Sequence, residues 1–263
     1  MVRGIQKFRE HFGDYRESFV VIGGVACDEW LGQRGMAFRP TRDVDMVLLV
    51  EALSPRFVSR FWEFVRAGRY DNRQRSTGKR IHYRFSKPAV PDFPAMVEVF
   101  SRQPAGIEAA ADQDVVPIPV DEGLSSLSAI LMDEDYYRLI LDNRTMSGDL
   151  PIVTATALIP LKARAWLDLT QRREEGKTVD EDDVRKHRRD VFRLAAALPA
   201  GAGPPVAESV RADLRRFVAA FAADSAEWLN LLKSLKADLG AALPRPHDLL
   251  AALDAHFSLG RAP

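Results

Sequence analysis

The amino-acid sequence predicts an α/β (α+β) fold, with a small mixed sheet in residues 1–153 and a helical bundle in residues 154–263. Two observations support this prediction. In the first part, short apolar and β-branched runs alternate with helix-like segments, which is typical of a sheet with connecting helices. In the second part, apolar residues recur with helical periodicity, and the segments are separated by loops such as PAGAGPP at 199–205.

Each element of the first part is predicted from its local pattern. Residues 4–12 carry Ile and Phe at near-helical spacing, so they are expected to form a helix. Ser54-Pro55 is typical of a helix start, because Ser caps the first turn and Pro fits it, and this helix is expected to end near Gly68. The predicted strands are 19–22, 43–50, 81–85 and 95–100, with a helix at 25–31 after the first strand.

The remaining elements follow from turn and cap signals. Residues 136–141 and 150–153 are expected to pair as a hairpin across MSGD, where Ser147-Gly148 is the turn signal. A further strand is expected at 115–120. The predicted helices of the second part are ALIPLKARAWLDLTQRR, VRKHRRDVFRLAAAL with Asp180 or Asp182 as its cap, and three more after residue 205.

Composition excludes several classes of protein. Lys plus Arg and Asp plus Glu both total 37, so the net charge indicates no particular partner. The single cysteine, Cys27, excludes an internal disulfide and a cysteine metal site. His82 and His187 lack partners at ligand spacing and are expected to be ordinary surface histidines. Because no apolar run approaches the ~18 residues of a membrane span and the N-terminus lacks a signal-peptide core, we expect no membrane association and a cytoplasmic location.

The stretch from Phe19 to Val50 contains the clearest chemical signal. Asp43 and Asp45 alternate along a predicted strand, so their side chains point to the same face. Two carboxylates this close need a cation between them or a raised pKa. The flanking apolar residues indicate a buried strand, and a hard divalent cation such as Mg²⁺ is the expected partner.

Gly23 and Gly24 stand between the first strand and the helix that follows it. Glycines in this position let backbone N–H groups approach a phosphate closely, and the helix N-terminus adds positive potential. The same stretch therefore predicts a phosphate-binding turn together with a magnesium-type site.

These residues resemble the signature of the nucleotidyltransferase superfamily, which has the DNA polymerase β-like fold. The matching residues are Ile22-Gly23-Gly24 and Asp43-Val44-Asp45-Met46. Within the superfamily, GGVA and FRPTRDVDM are most similar to the AbiEii/MenT-type toxins of toxin–antitoxin systems. The resemblance implies transfer of NMP from an NTP to an acceptor hydroxyl, with one or two Mg²⁺ ions held by the Asp pair and a third acid on an adjacent strand. Glu98 in MVEVF matches that acid, and a Glu between valines is costly unless it is paired or bound to metal.

The resemblance extends to the helical part. Lys162 and Asp190 match a Lys and an Asp that these families carry on successive helices, and Arg193 takes the place of a usual second Asp. It implies that Lys162 meets the triphosphate and that Asp190 assists acceptor activation or orients the Lys. An ordinary salt bridge between helices is the alternative. Arg39 and Thr41 precede the Asp pair and are expected to contact nucleotide, although Arg39 equally fits a brace for the first Asp.

The acceptor is expected to be RNA, such as a tRNA 3′ end, because six basic side chains in residues 66–80 suit a polyanion. A solvated loop is the alternative explanation for that charge. An antitoxin protein is a further partner implied by the resemblance. Two other functions stay open. The acidic segment 112–149 fits an antibiotic nucleotidyltransferase, whereas the long spacer after Gly24 and the absence of a Ser there fit a catalytically silent nucleotide-binding or interaction module.

Overall fold

The chain divides into two compact units. The computed structural model describes residues 2–49, 54–71, 84–100, 133–221, 227–239 and 243–260, together with Ala52. Unit 1 comprises Met1–Glu29, Pro40–Leu124 and Arg144–Val153. Unit 2 comprises Trp30–Arg39, Ser125–Asn143 and Thr154–Pro263. The helical unit therefore includes two segments that precede residue 154.

Unit 1 is built on a mixed sheet. Its strands are β1 (Phe19–Ile22), β2 (Asp43–Leu48), β3 (Arg84–Ser86), β4 (Met96–Phe100), β5 (Arg144–Ser147) and β6 (Leu150–Val153). The strand order is β3-β4-β2-β1-β6-β5. Strand β1 runs antiparallel to β2 and parallel to β6, and β2 runs parallel to β4. The predicted α+β architecture is thus confirmed.

An aromatic core fixes the helices of unit 1 against its strands. Helix α1 (Ile5–Phe12) and helix α3 (Pro55–Gly68) each bury phenylalanines. The ring of Phe12 lies 5.1 Å from Phe64 of α3 and 5.9 Å from Phe19 of β1. Tilted aromatic pairs at such distances stabilise a core beyond the area that they bury. As predicted, Ser54 caps α3, and its hydroxyl accepts a hydrogen bond from the Phe57 amide at 3.2 Å.

Helix α2 (Gly23–Gly32) follows β1 directly, and its last residues belong to unit 2. The other described helices of unit 2 are α4 (Glu134–Asp142), α5 (Ala155–Glu174), α6 (Glu181–Ala195), α7 (Glu208–Ala219), α8 (Glu227–Leu239) and α9 (Pro246–Phe257). Asp180 caps α6 by accepting from the Asp182 amide at 2.8 Å, which decides between the two predicted caps. None of the described helices is long and apolar enough to cross a membrane.

The prediction of a strand at 136–141 is wrong, because these residues belong to helix α4. The carboxylate of Asp133 caps the helix by accepting from the amides of Asp135 and Tyr136. Tyr136 and Ile140 lie one turn apart on its buried face. The Tyr136 hydroxyl donates to Asp213 of α7 at 3.0 Å, which ties α4 to the helical unit.

The hairpin that ends unit 1 is formed by β5 and β6 instead. Gly148 lies in its turn with φ at +63°, a conformation that favours glycine. The predicted strand at 115–120 and part of the predicted strand at 81–85 lie outside the described residues. The same holds for most of the basic loop 66–80 and for much of the acidic segment 112–149.

Candidate functional site

The junction between β1 and α2 is shaped by two glycines. Gly23 has φ at +66°, and a Cβ at this position would overlap the carboxylate of Asp45. A Cβ at Gly24 would lie 2.5 Å from the hydroxyl oxygen of Thr41. The missing side chains therefore let Asp45 and Thr41 approach the N-terminus of α2. A carboxylate is favourable there, because the helix dipole places positive potential at that end.

We predict that Gly23→Ala destabilises the chain, whereas Gly32→Ala on the same helix does not. An alanine at position 23 must adopt a left-handed backbone, at a cost of about 1–2 kcal/mol, and must also displace Asp45. A Cβ at Gly32 meets nothing within 4 Å, so that replacement should be neutral or stabilising. Urea unfolding followed by circular dichroism measures both variants. Equal stability of the two would contradict the close approach of Asp45.

Three acidic residues share one face of two neighbouring strands. Asp43 and Asp45 are half-buried, and the intervening Val44 is buried on the opposite face. Strands β2 and β4 pair in parallel with Asp45 beside Glu98 and Asp43 beside Met96. Because paired residues of adjacent strands point to the same side of a sheet, Glu98 lies on the face of the two aspartates. This is the arrangement of the three acids that the sequence predicts.

Glu98 has a close cationic partner. Arg84 lies opposite Glu98 in the antiparallel pairing of β3 with β4, and its Nε donates to Oε1 at 2.6 Å. The Glu98 side chain is 12% exposed, and that of Arg84 is 42% exposed. No group of three His, Cys, Asp or Glu side chains is placed to hold a metal ion within the part of the chain that the structure describes. The carboxylate oxygens of Asp43 and Asp45 are ligands of the kind that a hard divalent cation prefers. The carboxylate of Glu98 is already paired with Arg84, so a metal ion would compete with that ion pair.

Unit 2 contains a buried ionic cluster centred on Asp190 of α6. The Asp190 side chain is fully buried. Arg39 donates a hydrogen bond to each of its two oxygens, with N–O distances of 2.9 and 3.1 Å. Lys162 of α5 places its Nζ 3.4 Å from Oδ2. Such a two-point contact between Arg and a carboxylate is stronger and more directional than a single hydrogen bond. The predicted Lys162 and Asp190 are thus brought together, and Arg39 joins them.

Three cations lie near the Asp190 carboxylate. Arg193, also fully buried, lies 3.7 Å from Asp190 and is the third cation near this one carboxylate. The guanidinium groups of Arg39 and Arg193 lie 5.0 and 5.1 Å from the ring of Phe38. Burial, which raises a carboxyl pKa, is the largest single effect on Asp190. The nearby cations, Lys162 foremost, outweigh it, so the pKa of Asp190 lies below its ordinary value.

Some assignments made from the sequence change in this setting. Arg39 was expected to contact phosphate or the first Asp of the strand pair. In the structure its guanidinium group is hydrogen-bonded to the Asp190 carboxylate. The expectation that His187 is an ordinary surface histidine is wrong, because its ring is half-buried. Burial and repulsion from Lys162 and Lys186 hold the pKa of His187 well below its ordinary value. Arg84 was not predicted as a site residue, although its place in an alternating strand beside the Glu98 strand was a usable signal.

Comparison of the chain with models of protein families, with curated proteins and with solved structures finds no match. The motif in the sequence and the geometry within each unit are therefore the basis for assigning a function.

Proposed function

We propose that the chain is a metal-dependent nucleotidyltransferase that transfers NMP from an NTP to an acceptor hydroxyl. The observation that carries the proposal is the row of acids on unit 1. Asp43 and Asp45 lie on one face of β2, with Glu98 in register on β4, and the Asp45 carboxylate lies against Gly23 at the start of α2. Carboxylates on one face of two neighbouring strands, beside a glycine turn and a helix N-terminus, suit a triphosphate bound through a divalent cation.

Each residue has a defined role in this proposal. Asp43 and Asp45 would bind one or two Mg²⁺ ions. Glu98 would be a third ligand if its ion pair with Arg84 loosens. A bound Mg²⁺ supplies charge neutralisation at the α-phosphate and lowers the pKa of an acceptor hydroxyl. In the reaction, the acceptor oxygen forms a bond to the α-phosphorus, and the bond to the bridging oxygen of the leaving pyrophosphate breaks. The acceptor proton passes to solvent or to a carboxylate of the site.

The ionic cluster of unit 2 supports a second part of the proposal. Arg39, Lys162 and Arg193 lie close to one another around Asp190, and cations of this kind suit the negative charge of a triphosphate. In this assignment Lys162 and Arg39 contact phosphate. Asp190 orients both cations through the contacts described above, and it is a positioning residue.

We further propose that the acceptor is RNA, such as a tRNA 3′ end, and that the activity is that of a toxin whose partner is an antitoxin protein. This refinement follows from the resemblance of GGVA and FRPTRDVDM to AbiEii/MenT-type toxins. The alternative acceptor within the same chemistry is an amine-bearing antibiotic.

The test is transfer of label from α-³²P-labelled ATP, CTP, GTP and UTP in Mg²⁺. Total RNA and an aminoglycoside panel are supplied as acceptors in parallel reactions. Label in RNA supports the RNA acceptor, and label in an aminoglycoside supports the antibiotic one. Label in neither, for any of the four nucleotides, would reject transfer to these two classes of acceptor.

The ion pair between Arg84 and Glu98 favours a second candidate function. If Arg84 holds Glu98 permanently, the third ligand is lost and the chain is a catalytically silent nucleotide-binding module. That candidate predicts binding of NTP by isothermal titration calorimetry without any transfer of label.

A further inference from the structure

A groove of about 320 Å³ in unit 2 is lined by residues of helices α6 and α8. Its basic side chains are Arg39, Arg185, Lys186, Arg188 and Arg189, and its acidic one is Asp182. From α8, Asn230 adds an amide, Ser234 adds a hydroxyl, and the buried Leu231 adds apolar surface. The volume falls within the range of small-molecule sites. Because basic and hydrogen-bonding groups dominate the lining, the groove favours an anion.

Arg189 is a half-buried cation of this groove that lacks an acidic partner. Its Nη1 donates a hydrogen bond to the hydroxyl oxygen of Ser234 at 2.9 Å. Within the part of the chain that the structure describes, no carboxylate lies within ion-pair distance of its guanidinium group. A guanidinium group has five N–H donors, so the contact with Ser234 leaves others for a ligand. Removing a charge from water is costly unless the charge is paired, and a bound anion would supply the pairing.

Two further cations of the groove have weak partners. Arg185 pairs with Asp182 at 2.7 Å, and Lys186 pairs with Asp183 at 2.6 Å, each across one turn of α6. The four side chains are between 34% and 86% exposed. Ion pairs as exposed as these contribute about 0–1 kcal/mol, so both cations can turn to a bound anion at little cost. Arginine binds phosphate through two parallel hydrogen bonds, and lysine binds it as a point charge.

We propose that this groove binds a phosphate group, held by the Arg189 guanidinium and the Ser234 hydroxyl. The Ser234 oxygen accepts from Arg189 and keeps its own proton, which it donates to a phosphate oxygen. Lys186 adds positive charge from the next turn of the lining. Lys162 does not line the groove, so this site differs from the phosphate contact proposed for the Asp190 cluster. All of the lining residues belong to unit 2, and binding here does not require that the chain transfers nucleotides.

The test is isothermal titration calorimetry of the full chain at physiological ionic strength and without metal ions. Inorganic pyrophosphate and a short single-stranded oligoadenylate RNA are titrated in parallel. Binding of pyrophosphate identifies a free phosphate compound as the ligand, whereas binding of the RNA alone identifies a backbone phosphate. Arg189→Gln should weaken binding about tenfold or more, because it removes a charge-assisted contact. Arg173→Gln removes a half-exposed cation of α5 outside the groove and should leave the affinity unchanged.

Ser234 offers a matched pair of variants. Ser234→Asp places a carboxylate beside Arg189 and should abolish binding of the probe that binds the wild type. The new ion pair should leave the thermal midpoint unchanged or raised, which shows that the loss of binding is not a loss of folding. Ser234→Asn has nearly the same shape as the aspartate without its charge, and it should retain binding.

Three outcomes would overturn the proposal. They are saturable binding of neither probe, wild-type affinity in Arg189→Gln, and equal affinity of Ser234→Asp and Ser234→Asn. Lys162→Met separates the groove from the Asp190 cluster and should change the affinity far less than Arg189→Gln does. If Lys162→Met abolishes binding and Arg189→Gln does not, the anion is held at the Asp190 cluster. That result would reject the groove while supporting the phosphate contact of the proposed function.

Discussion

Asp190→Asn is expected to lower the free energy of unfolding by about 3–5 kcal/mol, the cost of removing one partner from a buried charge pair. The asparagine keeps the shape of the side chain, but it removes the buried anionic charge that Arg39, Lys162 and Arg193 contact. Urea unfolding followed by far-ultraviolet circular dichroism measures the change. The effect requires no assumption about function, because it follows from the burial and contacts of Asp190 alone.

Two controls make this prediction specific. Asp182→Asn changes an exposed acid on the same helix, which pairs with Arg185 at 2.7 Å, and should have no measurable effect. Lys162→Met removes one of the three cations and still leaves two for Asp190, so its cost should be clearly smaller than that of Asp190→Asn. If Asp190→Asn were as mild as Asp182→Asn, or if Lys162→Met were the more damaging change, the buried charge of Asp190 would not be the main stabilising group of this cluster.

The pH dependence of this effect follows from the pKa of Asp190, which is lowered in the folded chain. A carboxyl group whose folded pKa is depressed binds its proton more readily when unfolded. Its stabilisation is therefore complete above the unfolded value of about 3.9 and is lost as pH falls through the lower folded value. The difference in stability between wild type and Asp190→Asn should stay constant between pH 7 and about pH 5, and should shrink below about pH 4.

Short-range patterns predicted much of unit 1, because their physical causes are local. Ser54 before a proline specifies a helix start, and four consecutive apolar residues ending at Gly23 specify a buried strand. Helix α4 was missed for a related reason. A short apolar run fits the period of a strand as well as that of a helix, and the cap formed by Asp133 is what decides for a helix.

The same local patterns do not identify residues that pair across a long separation in the sequence. Arg39 and Asp190 are 151 residues apart, and nothing local to either residue indicates the other. The pairing of Arg84 with Glu98 depends on the register of β3 with β4, which becomes defined only when the sheet forms. The sequence therefore indicates which charged residues are candidates for the site, but not which of them neutralise one another.

The second large effect is expected from Asp45→Asn, which should lower label transfer by at least about a thousandfold, if the chain is the proposed transferase. An amide cannot replace an anionic ligand, and metal-ion stabilisation of a transition state amounts to several kcal/mol. Binding of Mn²⁺, followed by isothermal titration calorimetry without nucleotide, should weaken in the same variant. This second measurement is independent of catalysis, so it tests the metal site even if the acceptor has been chosen wrongly.

The effect of substitution on the free energy of unfolding distinguishes Asp45 from Asp190. Asp45 is half-buried whereas Asp190 is fully buried, so Asp45→Asn should lower the urea concentration at the unfolding midpoint clearly less than Asp190→Asn does. Glu98→Gln should weaken Mn²⁺ binding less than Asp45→Asn does, because Arg84 already balances the charge of Glu98. A stable Asp45→Asn protein with undiminished Mn²⁺ affinity would show that the aspartate pair does not bind metal. Weaker metal binding at Glu98→Gln than at Asp45→Asn would instead place Glu98 at the centre of the site and require Arg84 to move when metal binds.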